Sequence, residues 1–586
     1  MRRFKPLAVA LACAVTLQAF AQALAPGAGE ASSTSAHARR AAEEIKASDL
    51  RSYLHFVASD EMEGRDTPSR GLDLAAKFLA MNLSLWGVRP AGDDGTYFQR
   101  IALRRTRVDP SASRAEVGGQ SFEHGAGFYD NTPAGGDFKD APLIYVGHGW
   151  LVRSKNINPY EGIDVRGKVL VVAGGGFLPR EAGAGVSMLG AAGADWMHPY
   201  EYAVRHGARA VVAMPTARTL SKWERARRRP QTPREHLAVE RFESGDGANL
   251  IPVLYEGATG ELGINSGRRA SVPFITASVA MLDKIFEGER RTAAELLRLA
   301  AEGARAESFE LSPNKRLSLT VAAREERVMT QNVVGIIEGS DPVLKDEFVA
   351  VGAHYDHVGV EPSAAAQAAA GGDRIYNGAD DDGSGTVAVL ELAHAFATAS
   401  PRPKRSILLV WHAGEEKGLW GSRYFVENPT VPLARVVAQL NIDMIGRSKR
   451  AGDVSKDNEQ LTGPEEIYVI GSKKMSAELG ALSERVNTSY LGLKFNYRYD
   501  DPADPERFFY RSDHFHYARK GVPIIFYFDG PHEDYHKLSD HADKIDYAKM
   551  EKVARTVFVT AWELASAPAR PRVDKPLPPD VADGKE

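Results

Sequence analysis

The chain has 586 residues, too many for one ordinary domain and enough for two or three. Hydrophobic residues make up 43% of it, which supplies real cores and argues against a disordered chain. The formal charge of −4 offers no basic field for nucleic acid.

The N-terminus has the pattern of a cleaved secretory signal over residues 1–23. Arg2, Arg3 and Lys5 precede an apolar run from Leu7 to Leu17, and small residues follow at Ala19, Ala21 and Ala23. The run is too short to span a bilayer, and no later stretch is long enough, so no stable membrane insertion is expected. Cleavage removes three positive charges and takes the formal charge from −4 to −7. The only cysteine, Cys13, lies inside the signal. An exported chain without disulfides suits a bacterial periplasm or the medium. Residues 24–40, rich in Ala, Gly and Ser, read as a flexible leader.

Helical periodicity opens the region 41–110. Leu50, Tyr53, Leu54 and Val57 share one face. From Leu72 to Trp86, the side chains expected inward are Leu74, Phe78, Leu79, Met81 and Leu85, with Gly87 as the stop. The region 111–309 carries short β-type runs at Leu143–Gly147, Val169–Gly176, Ala208–Met214 and Val272–Ser278, with a helical stretch at Glu201–His206. Leu220–Gly247 is charged and loop-like, and Arg225, Arg227, Arg228 and Arg229 read as a solvated face. The region 310–565 alternates strands and helices. Strands are expected at Asn332–Gly339, Phe348–His354, Ser406–His412, Val437–Asp443, Ile467–Ser472 and Val522–Phe528. Helices are expected at Thr386–Ala397, Met475–Val486 and Tyr547–Leu564. This order predicts an α/β fold, a largely parallel sheet covered on both faces, with ligands at the carboxyl ends of its strands. The tail, 566–586, is Pro-rich and reads as disordered.

Metal-binding side chains cluster behind those strands: His354, Asp381, Glu416, Asp443 and His536, with Glu415 beside Glu416. Two His and three carboxylates suit a pair of zinc ions sharing one carboxylate. The adjacent Glu is placed to take a proton from water activated between the ions. Asp356 lies two residues beyond His354, on the same face of an extended chain, where its carboxylate can hold the second nitrogen of the imidazole. Asp380, Asp381 and Asp382 precede an apolar helix and can complement its dipole. Three acids held between Gly378 and Gly383 would still repel one another without a cation. No single segment carries the signal on its own, which lies in order and strand-end placement together.

Taken in that order, GAHYDHVG, NGADDDGSG, HAGEEKGLWGS, NIDMIG and YHKLSDHADKID resemble the co-catalytic zinc exopeptidases of family M28. That family includes secreted bacterial aminopeptidases, glutamate carboxypeptidases and the transferrin receptor. The resemblance covers about Leu317 to Leu564, with SDEMEGRDTPSRG at Ser59–Gly71 and GTYFQRIAL at Gly95–Leu103. It implies the zinc exopeptidase fold, a mostly parallel mixed sheet flanked by helices. The middle region resembles a β-rich protease-associated insert on LIYVGHGW, INPYEGIDVRGKVLVV and VPFITAS, and Leu220–Gly247 departs from it. The resemblance further implies two Zn2+ per chain bridged by Asp381, one completed by His354 and Asp443, the other by Glu416 and His536. It casts Glu415 as general base and acid, Tyr535 as oxyanion stabiliser and Asp356 as the partner orienting His354. It also implies a cis Asp381–Asp382 bond. The separation of 27 residues between His354 and Asp381 is long for the family, and Glu361–Arg374 reads as a surface loop at the mouth of the site. The implied function is a secreted di-zinc exopeptidase acting on peptides, an aminopeptidase first. A carboxypeptidase, a glutaminyl cyclase-like enzyme or a non-catalytic binding relative are the alternatives, and oligomeric state is left open.

Overall fold

The computed structural model describes residues 36–577, apart from 133, 175–177, 183–188, 190–192, 218, 222–234, 244–251, 257–261, 267–271, 305, 363–367, 369–370, 502–503 and 576. The signal, residues 24–35 of the leader, the arginines at 225 and 227–229 and the tail from 578 lie outside the described residues. The chain divides into two units, one within Met1–Arg100 and Gln331–Pro578, the other within Ile101–Thr330 and Pro579–Glu586.

In the first unit a helical stretch at 36–42 precedes helices α1 (Ala47–Val57) and α2 (Arg70–Leu85). It resumes in β1 (Ala323–Ile337), whose end lies in this unit, followed by β2 (Phe348–His354), α3 (Gly385–Thr398) and β3 (Ser406–His412). Then come α4 (Trp420–Glu427), β4 (Val436–Ile442), β5 (Glu466–Ile470), α5 (Ala477–Ser489) and β6 (Lys494–Asn496). The last elements are α6 (His514–Arg519), β7 (Ile524–Phe528) and α7 (Tyr547–Ser566). Strand order is β1-β3-β2-β4-β7-β5-β6. The central four, β3, β2, β4 and β7, are mutually parallel. β1 and β5 join antiparallel, so the sheet is mixed.

Every residue of β2, β3 and β4 is buried, as expected for apolar strands covered on both faces. Alternation divides the work. Val349, Val351 and Ala353, with Ile407, Leu409 and Trp411, join the core built with α1, α3 and α7. His412 points the other way, its Nε2 3.1 Å from the hydroxyl of Tyr517 on α6 and its ring 6.4 Å from Phe425 on α4. Among the described residues no helix is long and apolar enough to cross a membrane.

Several expectations need correction. In α2 the buried face is Leu72, Ala75, Ala76, Leu79 and Leu83, while Met81 and Leu85 are exposed. The alanines set this choice, because small side chains let the helix approach closely. Residues 36–42 are helical, with Ala38 and Ala42 buried one turn apart, so the leader stops before them. The start of the tail is tethered, since Arg570 and Arg572 pair with Glu347 and Glu478 at 2.5 and 2.7 Å. Inside the charged stretch Leu220–Gly247, a strand forms at Glu235–Val239 and a helical turn at Glu240–Glu243.

The second unit has its own sheet, ordered Gln120–Glu123, Arg114–Val117, Arg316–Val321, Gly136–Tyr145, Val169–Val172, Ala210–Ala213, Phe274–Ala277 and Phe128–Asp130. The run from Gly136–Tyr145 to Phe274–Ala277 is parallel. Leu143, Val169, Val212 and Ile275 form its core with Met281 and Ile285.

Candidate metal centre

The carboxyl ends of three neighbouring parallel strands deliver the site. β2 ends at His354, Glu415 and Glu416 follow β3, and Asp443 follows β4. Asp381 lies in the turn Ala379–Ser384 that enters α3, and His536 follows β7. The Asp381–Asp382 bond is cis.

These side chains converge in two groups that share Asp381: His354, Asp381 and Asp443, and His357, Asp381, Glu416 and His536. His354 Nε2 stands 3.3 Å from Asp381 Oδ1 and 3.5 Å from Asp443 Oδ1. His536 Nε2 stands 2.9 Å from Asp381 Oδ2 and 3.0 Å from Glu416 Oε2. The two oxygens of one carboxylate thus face two imidazoles. Glu415 Oε2 is 3.9 Å from His354 Nε2. His354 Nε2 and Asp381 Oδ2 are buried, and neither makes a hydrogen bond of acceptable geometry. Lone pairs converging on a common point, in a set of imidazoles and carboxylates, fit divalent zinc. His354 and Asp443 would hold one ion, Glu416 and His536 the other, with Asp381 between them.

The charges lean the same way. Burial opposes protonation of His354, yet Asp443 and Glu415 hold it well above the ordinary imidazole range. His536 is likewise pushed up to about 11, Glu416 and Asp381 outweighing burial. Burial favours the neutral form of Asp381, but His354 and His536 hold it well below the usual carboxylate range. Burial, reinforced by Glu416 and Asp443, pushes Glu415 well above. The metal-free imidazoles are therefore protonated at neutral pH and must lose those protons to a metal. Zinc affinity is expected to rise with pH by about tenfold per unit for each proton displaced. Calorimetric titration in two buffers of different ionisation enthalpy should show net proton release near pH 7, and none would contradict these charge states.

Asp356 differs from expectation. His354 Nδ1 lies 3.1 Å from the Asp356 backbone oxygen and 3.7 Å from its carboxylate. The backbone carbonyl is the nearer partner because the chain turns as β2 ends. The carboxylate instead accepts the Glu415 N–H at 3.1 Å and so steadies the segment carrying Glu415 and Glu416. The three acids of the turn also have separate work. Asp382 accepts the N–H groups of Gly385 and Met444 at 2.8 and 3.1 Å, which is the helix-start role weighed above. Asp380 accepts the Gly446 N–H at 2.7 Å and faces His532 Nε2 at 3.2 Å. Only Asp381 of the three faces the cluster, held from behind by Asp540, whose Oδ2 accepts the Asp380 and Asp381 N–H groups at 3.0 and 3.2 Å.

Tyr535 stacks on His536 with ring centroids 4.0 Å apart. Burial, with Asp381 and Glu416 adding to it, holds its hydroxyl well above the usual range and keeps it a donor. A pocket opens on His354, Asp381, Glu415 and Asp443, with Met444, Phe508, Phe526 and Phe528 as an apolar wall and Arg511 and Tyr535 as its polar groups. His514 is buried outside that lining, its Nε2–H donating to the Phe509 carbonyl oxygen at 2.8 Å, and His516 Nδ1 accepts from Arg519 at 3.1 Å. At the base of the loop Glu361–Arg374 the Glu361 N–H donates to Arg374 O at 2.7 Å, and 363–367 and 369–370 lie outside the described residues.

Sequence reasoning missed His357 and Arg65. Arg65 is fully buried, and its guanidinium donates to the carbonyls of Tyr355, Val57, Asn377 and Gly378 at 2.7–3.0 Å. It thereby ties the segment after β2 to the turn bearing Asp381. Gly64 before it has φ +66°, and a Cβ there would stand 2.2 Å from the Gly359 carbonyl oxygen. The only sequence cue was the charged segment EGRD. Arg65→Met leaves four buried carbonyls short of a donor, and a loss of about 3 kcal/mol or more is expected in urea unfolding of the metal-free protein. Wild-type stability would refute this role.

The fold and the site define the class: an α/β protein with a carboxylate–histidine cluster, a candidate metal centre, at the carboxyl ends of parallel strands. The sequence profile of peptidase family M28 matches residues 332–561. It is 30% identical over 235 residues to a probable leucine aminopeptidase of Arthroderma otae, covering 39% of this chain and 56% of the relative. It is 31% identical over 192 residues to leupeptin-inactivating enzyme 1 of Streptomyces exfoliatus, covering 32% of this chain and 37% of the relative. The chain thus spans about half the length, or less, of these curated relatives. Among solved structures, the aminopeptidase from Aneurinibacillus sp. strain AM-1 matches 92% of this chain and 97% of its own with a TM-score of 0.50. At 15% identity that is a likeness of fold.

Proposed function

We propose that this chain is an exported di-zinc aminopeptidase. The observation that carries the reading is Asp381, with one oxygen toward His354 and Asp443 and the other toward His536 and Glu416. The paired ions, when bound, supply Lewis acidity to a peptide carbonyl and acidify water. Glu415, beside both groups and backed by Asp356, takes the proton from that water and returns it to the leaving amine. The Tyr535 hydroxyl, kept protonated, is the donor for negative charge developing on the carbonyl oxygen. The wall of Met444, Phe508, Phe526 and Phe528 suits an apolar side chain beside the scissile bond. The signal pattern at residues 1–23 supports export, and the β-type runs of the middle region support a protease-associated insert.

A second reading, carboxypeptidase action, is favoured by Arg511, a cation lining the same pocket with its guanidinium stacked 4.6 Å over Phe508. Matched peptides with free or blocked amines, and with free or amidated carboxyls, separate the two. An aminopeptidase loses cleavage when the amine is blocked and keeps it when the carboxyl is amidated. The reverse pattern would establish the carboxypeptidase, and no chelator-sensitive cleavage of any peptide would remove both.

A further inference from the structure

We infer that His357 is a positioning residue for Glu416: its Nδ1–H holds Oε1, so that Oε2 is turned toward His536 and the ion. The inference rests on the di-zinc reading. His357 is fully buried. Its Nδ1 is 2.8 Å from Glu416 Oε1, while Oε2 of the same carboxylate is 3.0 Å from His536 Nε2. The two imidazoles thus address different oxygens of one carboxylate. A metal-ligating carboxylate is ionised and can only accept, so the hydrogen belongs to His357 Nδ1. The ring is fixed from two sides. Its backbone N–H donates to Arg65 O at 3.1 Å. Gly378 leaves room for it, since a Cβ there would stand 2.5 Å from the ring's Cγ and Cδ2.

The rival assignment makes His357 itself a ligand, because its ring nitrogen can join Asp381, Glu416 and His536 in one group. Four protein ligands would close that ion in the manner of a structural zinc site. Two distances favour the positioning role. Nδ1 is 3.7 Å from Asp381 Oδ2, farther than the 2.9 Å of His536, and it engages the oxygen of Glu416 that His536 does not. A histidine that orients a ligating carboxylate acts on affinity without entering the coordination sphere, and such partners change metal affinity by about 10- to 100-fold.

The test uses the full chain with His357→Ala and His357→Asn, the latter keeping an amide donor near the position of Nδ1. Zinc affinities come from chelator competition, and imidazole ligands are counted by zinc-edge X-ray absorption. Wild type should bind two ions. His357→Ala should weaken one of them about 10- to 100-fold and leave the other unchanged. His357→Asn should restore affinity to within about threefold, an expectation from the retained donor. The imidazole count should be the same in all three proteins. Wild-type affinity in His357→Ala would overturn the inference. Failure of Asn to rescue, with one imidazole fewer around zinc, would overturn it in favour of direct ligation. A wild type binding fewer than two ions would sink the di-zinc reading itself, a result distinct from either. Unchanged thermal unfolding of the metal-free variants shows that any lost affinity is local.

Discussion

Glu415→Gln should lower turnover by roughly a hundredfold to ten-thousandfold while both metal ions stay bound. The substitution keeps the shape of the side chain and removes its ability to take a proton. Glu415 is beside both ligand groups yet outside them, 3.9 Å from His354 Nε2. Its backbone is fixed through Asp356, so the amide should occupy the same place. Asp381, Glu416 and Asp443 are untouched, and zinc content should not fall. The measurements are kcat on a peptide the wild type cleaves and metal content by mass spectrometry. Near-normal kcat with full zinc would show that another group moves the proton.

Asp381→Asn should abolish activity by a different route, through loss of tight zinc binding at both positions together. Each Asp381 oxygen serves one group, His354 and Asp443 on one side, His536 and Glu416 on the other. An amide presents one oxygen and one NH2, so it cannot serve two cations. The metal-free protein should lose stability as well, because Asp381 is the carboxylate partner of two buried imidazoles, His354 and His536. The contrast appears in thermal unfolding. Zinc at a hundredfold excess over its dissociation constant should stabilise the wild type by about 2.7 kcal/mol per ion, and the variant hardly at all. If the variant kept one tight ion, Asp381 would belong to one position alone.

Much of this site was legible in the sequence, and particular residues show why. Phe348–His354 and Ser406–His412 are unbroken apolar runs ended by a polar residue, the mark of a strand buried on both faces, and the structure has the same limits. The candidate ligands were visible because side chains able to bind a metal stood at or just past those limits. What failed to show were short elements and long-range partners. β6 has three residues and α6 has six, too few for a period to emerge. The inward face of α2 was misjudged because its large apolar side chains were counted and Ala75 and Ala76 were not. His357 sat in GAHYDH beside a more prominent His354, and its partner Glu416 lies 59 residues on. Arg65 bonds to carbonyls about 290 to 313 residues away, and backbone acceptors leave no trace in a sequence.

The measurement that bears most directly on the account is anomalous diffraction at the zinc edge from crystals grown with zinc. The account predicts two peaks, one bounded by His354, Asp443 and Asp381 and the other by His536, Glu416 and Asp381. A single peak, or peaks that do not share Asp381, would contradict it.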